Sequence, residues 1–283
     1  MTYIRLTGKD NPLLKTLRKL NRNPEKDAGG QMAIEGIRVL EEAEKSGCEI
    51  DAVVITDGFG NEPREKNLLE RWRARGIRIF QVAEKLFASI SAVRTPQGAM
   101  ALVRAPQYTL DGIQLKERIL ILCACGIQDP GNLGTLIRTA AAAGVDVVLT
   151  TTGTVSARNP KALRASAGAF FSIPVIEHLE TGEILSYCER NEILRYRTDA
   201  RDGVRHTQAD MISSCAIFLG NEGTGVNEAA FARLPGIHIQ MPGNTESLNV
   251  AAAGAILVFE AARQRSEQLR CSAAEARDME AEL

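Results

Sequence analysis

Hydrophobic and polar positions fall into two successive series of short apolar runs and amphipathic stretches. In the first series, Asn11 and Pro12 predict a helix start, because asparagine is a good cap and proline suits the first helical position. Leucines then form one apolar stripe along that helix. Further helices are predicted over 34–45 and 65–75, and strands over 52–55, 77–80 and 99–103. Strands alternating with helices predict a small α/β layer domain.

The second series opens with a strand predicted over 118–125, in which residues 119–125 form an unbroken apolar run of the kind that parallel sheets bury. It continues with predicted helices over 132–143, 159–165 and 248–263, and with predicted strands over 145–149, 192–196, 216–219 and 236–240. The small residues 251–255 would let another backbone approach the last helix closely. The predicted division is a first domain over 1–104, a linker over 105–117, a second domain over 118–265 and a charged tail over 266–283.

Composition excludes several classes of protein. The 283 residues are 45% hydrophobic and 24% charged, which is ample for two cores. Six cysteines form no CxxC pair, and three histidines form neither HxH nor HExxH, so neither a disulfide framework nor a metal-centred mechanism is expected. No apolar leader or run of membrane-spanning length occurs. We therefore expect a soluble, cytoplasmic protein without membrane or metal partners.

The charge pattern indicates that any surface that binds nucleic acid is confined to a locally basic part of the chain. Net charge is -1 overall, but residues 1–22 hold six basic side chains against one acidic one. Lys15, Arg18, Lys19 and Arg22 lie off the apolar stripe of the first helix. They form either a patch that contacts RNA phosphates or an ordinary solvated face, and the pattern favours neither.

Three polar segments follow predicted strands, where open α/β sheets bind ligands. We call them motif one (129–140), motif two (218–226) and motif three (240–251). In motif one, Asn132 and the permanent cation Arg138 flank a helix start, although an ordinary cap with an ion-paired arginine fits too. Motif two sets three glycines around Glu222, which permits close backbone approach to a ligand. In motif three, Ser247 could cap the last helix, with Leu248 and Asn249 in its first turn, and such a cap is compatible with a functional role as well.

Together the motifs read Asn-x5-Arg, Leu-Gly-x-Glu-Gly-x-Gly and Met-Pro-Gly-x3-Ser-Leu-Asn-Val, in that order. These three motifs resemble those of the SpoU branch of the SPOUT RNA methyltransferases, and the resemblance covers the second domain. The sequences of residues 11–20 and 33–43 are similar to the RNA-binding domain of TrmH-type members. The resemblance implies a trefoil-knotted, parallel-sheet α/β catalytic domain behind a small α/β, ribosomal-protein-like RNA-binding domain.

The resemblance also implies the chemistry, which is transfer of a methyl group from S-adenosyl-L-methionine to a ribose 2'-hydroxyl. The positions that match the family's catalytic set are Asn132, Arg138, Glu222, Ser247 and Asn249. Those that match its donor-binding set are Leu219, Gly220, Gly225, Gln240, Met241 and Leu248. Gln240 departs from the family's branched aliphatic residue, which a backbone contact would tolerate. Arg138 suits stabilising a developing alkoxide better than accepting a proton, because a guanidinium keeps its positive charge and is a poor general base.

Residues 156–168 are also similar to the family, and Arg158, Lys161 and Arg164 are expected to contact RNA phosphates unless the segment is a plain surface helix. The resemblance further implies a homodimer. We expect ribosomal RNA as the substrate, with transfer RNA or a non-catalytic RNA-binding role as the alternatives. We also expect the second domain to bind the donor without residues 1–104.

Overall fold

The computed structural model describes residues 3–24, 30–221 and 230–281. It divides the chain into two compact units, the first made of residues 1–107 with 156–172 and the second of residues 108–155 with 173–283. The second unit therefore begins near the predicted linker. Residues 156–172, which the sequence places in the second domain, pack with the first unit instead.

The first unit is built on a five-stranded mixed sheet in the order β1-β4-β3-β5-β2, with β2 and β3 antiparallel to β5. Its strands are β1 (Ile4–Arg5), β2 (Gln31–Glu35), β3 (Glu49–Thr56), β4 (Ile79–Val82) and β5 (Ala99–Arg104). Its N-terminal helices are α1 (Pro12–Arg22), α2 (Ile37–Lys45), α3 (Pro63–Ala74) and α4 (Glu84–Ile90).

Helix α1 begins as predicted, since the Asn11 side chain accepts a hydrogen bond from the Leu13 backbone at 3.0 Å. Leu14, Leu17 and Leu20 are buried in a cluster with Val54, Phe87 and Met100 of the same unit. Burial of a leucine side chain contributes roughly 1.5–3 kcal/mol, so this stripe holds the helix on the sheet. The predicted helix over 34–45 is wrong at its start, because Ile34 and Glu35 belong to strand β2 and pair with β5.

The second unit is a seven-stranded sheet in the order β10-β12-β9-β11-β6-β7-β8, with every pair parallel. Its strands are β6 (Leu120–Ala124), β7 (Val147–Thr151), β8 (Val175–Leu179), β9 (Leu194–Thr198), β10 (Val204–Arg205), β11 (Cys215–Leu219) and β12 (Gly236–His238). The helices of its chain segments are α5 (Pro130–Ala143), α7 (Thr181–Arg190) and α8 (Val250–Ala281). Helix α6 (Pro160–Ala165) belongs to the first unit.

The strand order reverses between β6 and β11. From β6 the chain proceeds to β7 and β8 on one side, whereas β9, β10 and β12 lie beyond β11 on the other. Loops that leave neighbouring strands in opposite directions open a crevice at the carboxyl ends of those strands. Motif one follows β6 and motif two follows β11, so the sheet topology places both at this crevice.

Helix α8 packs closely on the sheet and on α5. A Cβ atom added to Gly254 would lie 2.4 Å from Leu136 of α5 and 2.8 Å from Leu219 of β11. The small residues of this helix therefore admit neighbours from within the same chain. The helix also continues through the predicted charged tail to Ala281.

Candidate active site

The turn between β6 and α5 organises motif one. The Asp129 carboxylate caps α5 by accepting a hydrogen bond from the Asn132 backbone at 3.0 Å, and Pro130 is the first helical residue. The apolar face of α5 is buried. The half-buried Asn132 side chain lies at the start of this helix, beside the carboxyl ends of the strands.

Arg138 lies on the exposed face of α5, about 9 Å farther along the helix axis than Asn132. Within residues 3–24, 30–221 and 230–281, its guanidinium forms no hydrogen bond or ion pair, so the ion-paired alternative is not seen there. Its exposed, permanent charge can therefore receive an anion.

Asn249 joins motif three to motif one. Its amide nitrogen donates to the side-chain oxygen of Asn132 at 3.1 Å, and its own oxygen accepts a hydrogen bond from the Ala251 backbone at 2.9 Å. Asn249 is thus the cap of α8, and the prediction that Ser247 caps this helix is wrong. Both residue types can cap a helix, but α8 begins at Val250, so only Asn249 stands directly before the first turn. Ser247 lies exposed in the preceding non-helical segment.

Motif two begins where β11 ends. Leu219 and Gly220 are buried, and the Leu219 carbonyl accepts the last backbone bond from Cys125, at 2.8 Å. The Leu219 side chain lies against Gly254, and its donor-binding role stays a prediction. Glu222 and Gly225, the other predicted residues of this motif, lie outside the described residues.

The start of motif three lines a cavity of about 470 Å³. Gln240 and Met241 line it together with His238, Ala200 and Arg201. This volume lies within the range of small-molecule sites, roughly 300–1,000 Å³. Leu248 is 38% exposed and is not among the residues that line this cavity.

Residues 199–203, which the sequence analysis did not single out, form a braced loop after β9. The Asp199 carboxylate accepts backbone hydrogen bonds from Arg201 and Asp202 and pairs with Arg197, which also pairs with Asp202. Bonds from these backbone groups, with that from Arg197, lower the pKa of Asp199 to about 2. The signal that could have revealed this loop is its position, since it leaves the carboxyl end of a strand as the three motifs do.

Two of the four side chains in the predicted basic patch on α1 make contacts with other residues of the chain. Lys15 pairs with Asp10 at 3.1 Å, and Arg18 donates to the Ser89 backbone and hydroxyl oxygens at 3.3 and 3.4 Å. Lys19 and Arg22 are exposed and form no hydrogen bond or ion pair among the described residues. These two cations are therefore the most available for phosphate.

The second predicted basic set lies in the part of the first unit formed by 156–172. Arg158 is half-buried, whereas Lys161 and Arg164 are exposed on helix α6, which packs against β2. Partial burial of its guanidinium lowers the pKa of Arg164, and the nearby Glu35 carboxylate opposes that effect. Burial likewise raises the pKa of Glu35, whose oxygens accept hydrogen bonds from the Ser91 hydroxyl.

Two other kinds of site are absent from the described part of the chain. No group of three or more His, Cys, Asp or Glu residues there could hold a metal ion. No helix in the same ranges is long and apolar enough to cross a membrane. The six cysteines form no disulfide bond with one another, and all are buried except Cys271.

The motif order and the geometry agree with comparisons to known proteins. The family model described as "SpoU rRNA Methylase family" matches residues 119–259, and the "MRM3-like substrate binding domain" matches residues 11–101. The chain is 34% identical over 253 residues to the Bacillus subtilis 23S rRNA (guanosine(2553)-2'-O)-methyltransferase RlmP, which covers 88% of this chain and 95% of the relative. The chain belongs to the SpoU rRNA methylase family.

Solved structures of SpoU-family relatives have the same fold. A crystal structure of an RNA 2'-O ribose methyltransferase matches with a TM-score of 0.78 and 31% identity, covering 93% of this chain and 99% of its own. An AdoMet-bound rRNA methyltransferase from Sinorhizobium meliloti matches with a TM-score of 0.79 and 26% identity, covering 92% of this chain and 97% of its own. The predicted α/β class, with a parallel catalytic sheet behind a substrate-binding domain, is thereby confirmed.

Proposed function

We propose that this SpoU-family protein transfers a methyl group from S-adenosyl-L-methionine to a ribose 2'-hydroxyl of ribosomal RNA. The observation that carries the proposal is the hydrogen bond between Asn249 and Asn132, which joins motif three to motif one at the carboxyl ends of the strands. Ribosomal RNA is preferred to transfer RNA because the Bacillus relative is named for 23S rRNA and matches nearly the whole chain. Such a substrate suits a cytoplasmic protein.

The residues present fit the methyl donor. Gly220 has no side chain to obstruct a ligand, and Gln240 and Met241 line a cavity large enough for a small molecule. Backbone groups at Gly220, Gln240 and Leu248 would hold the donor, with Gly225 completing the motif-two loop. The donor's sulfonium supplies a methyl group that is already activated for attack by an oxygen nucleophile.

The protein's own part in the reaction is electrostatic and positional. The attacking hydroxyl must lose its proton and pass through a partly anionic oxygen. Arg138, exposed and available for an anion, stabilises that oxygen or the adjoining phosphate. Asn249 holds the Asn132 side chain in one orientation beside the strand ends. Ser247 and Glu222 complete the proposed set, Ser247 at the ribose and Glu222 as an orienting group.

We propose that the first unit makes most of the contacts with RNA. Lys19 and Arg22 offer free cations on α1, with Lys15 and Arg18 beside them, and Arg158, Lys161 and Arg164 add charge from residues 156–172. Phosphate contacts supply most sequence-independent affinity for RNA and make it fall with salt.

We propose that the protein forms a homodimer through the second unit, with the outer face of α8 at the interface. Ile256 and Phe259 are 38% and 52% exposed and lie three residues apart, so they share one helical face. Gly254, in contrast, is already covered by Leu136 and Leu219. Light scattering of the wild type and of Phe259→Asp tests this, and a monomeric wild type would contradict it.

Donor binding and product mapping test the function. Calorimetry with S-adenosyl-L-methionine and with S-adenosylhomocysteine should show one site per chain. Mapping of 2'-O-methylation in a strain that lacks the gene should then show a lost site in ribosomal RNA. A lost site in transfer RNA instead would identify the alternative substrate. Folded protein that binds neither ligand, with or without RNA, would favour a non-catalytic RNA-binding role.

A further inference from the structure

Gly126, the second residue after strand β6, is held from its nitrogen side by two buried hydroxyls. Its N–H donates to Thr154 Oγ1 at 3.0 Å and to Thr151 Oγ1 at 3.2 Å. Thr154 in turn donates to the Ala124 carbonyl at 3.0 Å. With φ at +66°, Gly126 adopts the left-handed backbone that side chains disfavour. The strand end is therefore a fixed point at the entry to motif one.

The carbonyl of Gly126 is bonded from motif two. The amide nitrogen of the half-buried Asn221 donates to it at 2.9 Å. Backbone bonding between β6 and β11 ends one step earlier, where Cys125 N–H donates to the Leu219 carbonyl at 2.8 Å. The Asn221 side chain thus extends the connection between the two strands beyond the end of their backbone ladder.

This bond ties together the beginnings of two functional loops. Gly126 stands three residues before Asp129, the cap of the helix that carries Asn132 and Arg138. Asn221 directly follows Gly220, whose backbone is proposed to bind the donor. Motif two is rich in glycine, and glycine loses more conformational freedom on ordering than any other residue. A side-chain bond at Asn221 lowers that cost next to Gly220, where the donor is proposed to bind.

We propose that Asn221 is a positioning residue, whose amide holds Gly220 and the start of motif two against the fixed strand end at Gly126. The inference rests on the proposed methyltransferase function and adds a residue to it. Asn221 acts through the backbone of Gly126 and need not touch the donor or the reacting oxygen. Its loss should therefore weaken donor binding more than it slows transfer at saturating donor.

The first experiment removes the amide. Asn221→Ala leaves a carbonyl without its donor, which typically costs about tenfold in an equilibrium constant or more. We expect the dissociation constant and the KM for S-adenosyl-L-methionine to rise about tenfold, with kcat within about threefold of wild type. Asn191→Ala is the matched control, because Asn191 makes the same kind of bond, to the Tyr187 carbonyl at 2.8 Å, before the amino end of β9.

The second experiment keeps the side chain's shape and changes its protonation. In Asn221→Asp an ionised carboxylate cannot donate to the Gly126 carbonyl, whereas a protonated carboxyl group can. Donor affinity of this variant should therefore improve as pH falls from about 8 to about 5, relative to wild type at each pH, because facing a carbonyl oxygen raises the carboxyl pKa. A purely structural loss would show no such recovery.

The outcomes separate the two proposals. Absence of donor binding by the wild-type protein would overturn the proposed function itself. Wild-type binding together with donor affinity of Asn221→Ala within twofold of it would overturn the positioning role alone. An equal loss in Asn191→Ala would also overturn it, since the effect would then be general loosening. If Asn221→Ala fails to fold, Asn221→Asp at low pH decides, and a pH-independent affinity defect there counts against the proposal.

Discussion

The Asn249 amide donates a hydrogen bond to Oδ1 of Asn132 at 3.1 Å, between residues 117 positions apart in the chain. The other end of the same side chain caps α8, since its oxygen accepts backbone hydrogen bonds from Ala251 and Ala252. One asparagine therefore fixes the start of the last helix and orients a proposed catalytic residue. These two roles can be separated by substitution.

Asn249→Asp keeps the capping oxygen and removes the donor to Asn132. We expect a melting temperature near that of wild type, because aspartate caps helices as well as asparagine does. Methyl transfer should fall by about tenfold to a hundredfold, because two oxygens then face each other. Single-turnover transfer measured beside thermal melting checks both. Asn249→Ala should lose the rate and also about 1 kcal/mol of the free energy of unfolding.

The control for the capping effect is Asn11→Ala, which removes the cap of α1. It should cost a similar free energy of unfolding, about 1 kcal/mol, and leave donor affinity unchanged. A wild-type transfer rate in Asn249→Asp would show that the bond to Asn132 has no part in the reaction.

Arg138→Ala removes the exposed cation of motif one. Transfer should slow on the order of a hundredfold or more, as for the loss of other groups that stabilise an anionic oxygen, while donor affinity stays within a few-fold. Calorimetry and single-turnover assays make the comparison. Arg190→Ala serves as the control, because this exposed arginine ends α7, away from the strand carboxyl ends. Near wild-type transfer by Arg138→Ala would refute the assignment.

Replacing Lys19 and Arg22 with alanine should weaken RNA binding and flatten its salt dependence. The slope of log affinity against log salt is negative, and each lost phosphate contact reduces its magnitude by roughly 0.7–0.9. Filter binding at several salt concentrations measures this slope. The double variant Lys66→Ala, Lys85→Ala has the same change in charge on exposed positions of α3 and α4. Equal effects of the two pairs would mean that α1 is a solvated face.

Asp199 should make the second unit sensitive to acid. Its pKa is about 2 in the folded protein, below its ordinary value of 3.8, so its contribution is present at neutral pH and is lost as pH falls from about 4 towards 2. Asp199→Asn should flatten the loss of melting temperature over that range. Asp111→Asn, at a 92% exposed side chain, should leave the wild-type profile unchanged. A profile unaltered by Asp199→Asn would contradict this account.

Deletion of residues 1–104 tests the division of the chain. The sequence pattern predicts that the second domain survives this truncation and binds the donor. In the structure, however, Ala162, Leu163, Phe170 and Phe171 are buried within the first unit, and the deletion removes the rest of that unit up to residue 104. We therefore expect the truncated chain to aggregate unless 156–172 is also replaced. Size-exclusion chromatography checks this, and a monodisperse truncated protein would show that 156–172 does not need its neighbours.

Local pattern determined much of this protein. The unbroken apolar run at 119–125 is of the kind that parallel sheets bury, and it contains the buried strand β6 as predicted. Asn11 stood before proline and capped α1 as expected, because capping is a contact between near neighbours in sequence. The motifs identified the family because their residues and their order are properties of the sequence itself.

Tertiary structure alone decided which distant groups meet. Whether Ser247 or Asn249 caps α8 depends on where the helix starts, and its packing on α5 and β11 contributes to that choice. The sequence pattern does not distinguish Lys15 and Arg18 from Lys19 and Arg22. Among the residues that the structure describes, however, only Lys15 and Arg18 find partners, which are Asp10 and Ser89. The bonds from Asn249 to Asn132 and from Asn221 to Gly126 span 117 and 95 residues. Periodicity reports only neighbours along the chain, so contacts made by sheet order lie beyond it.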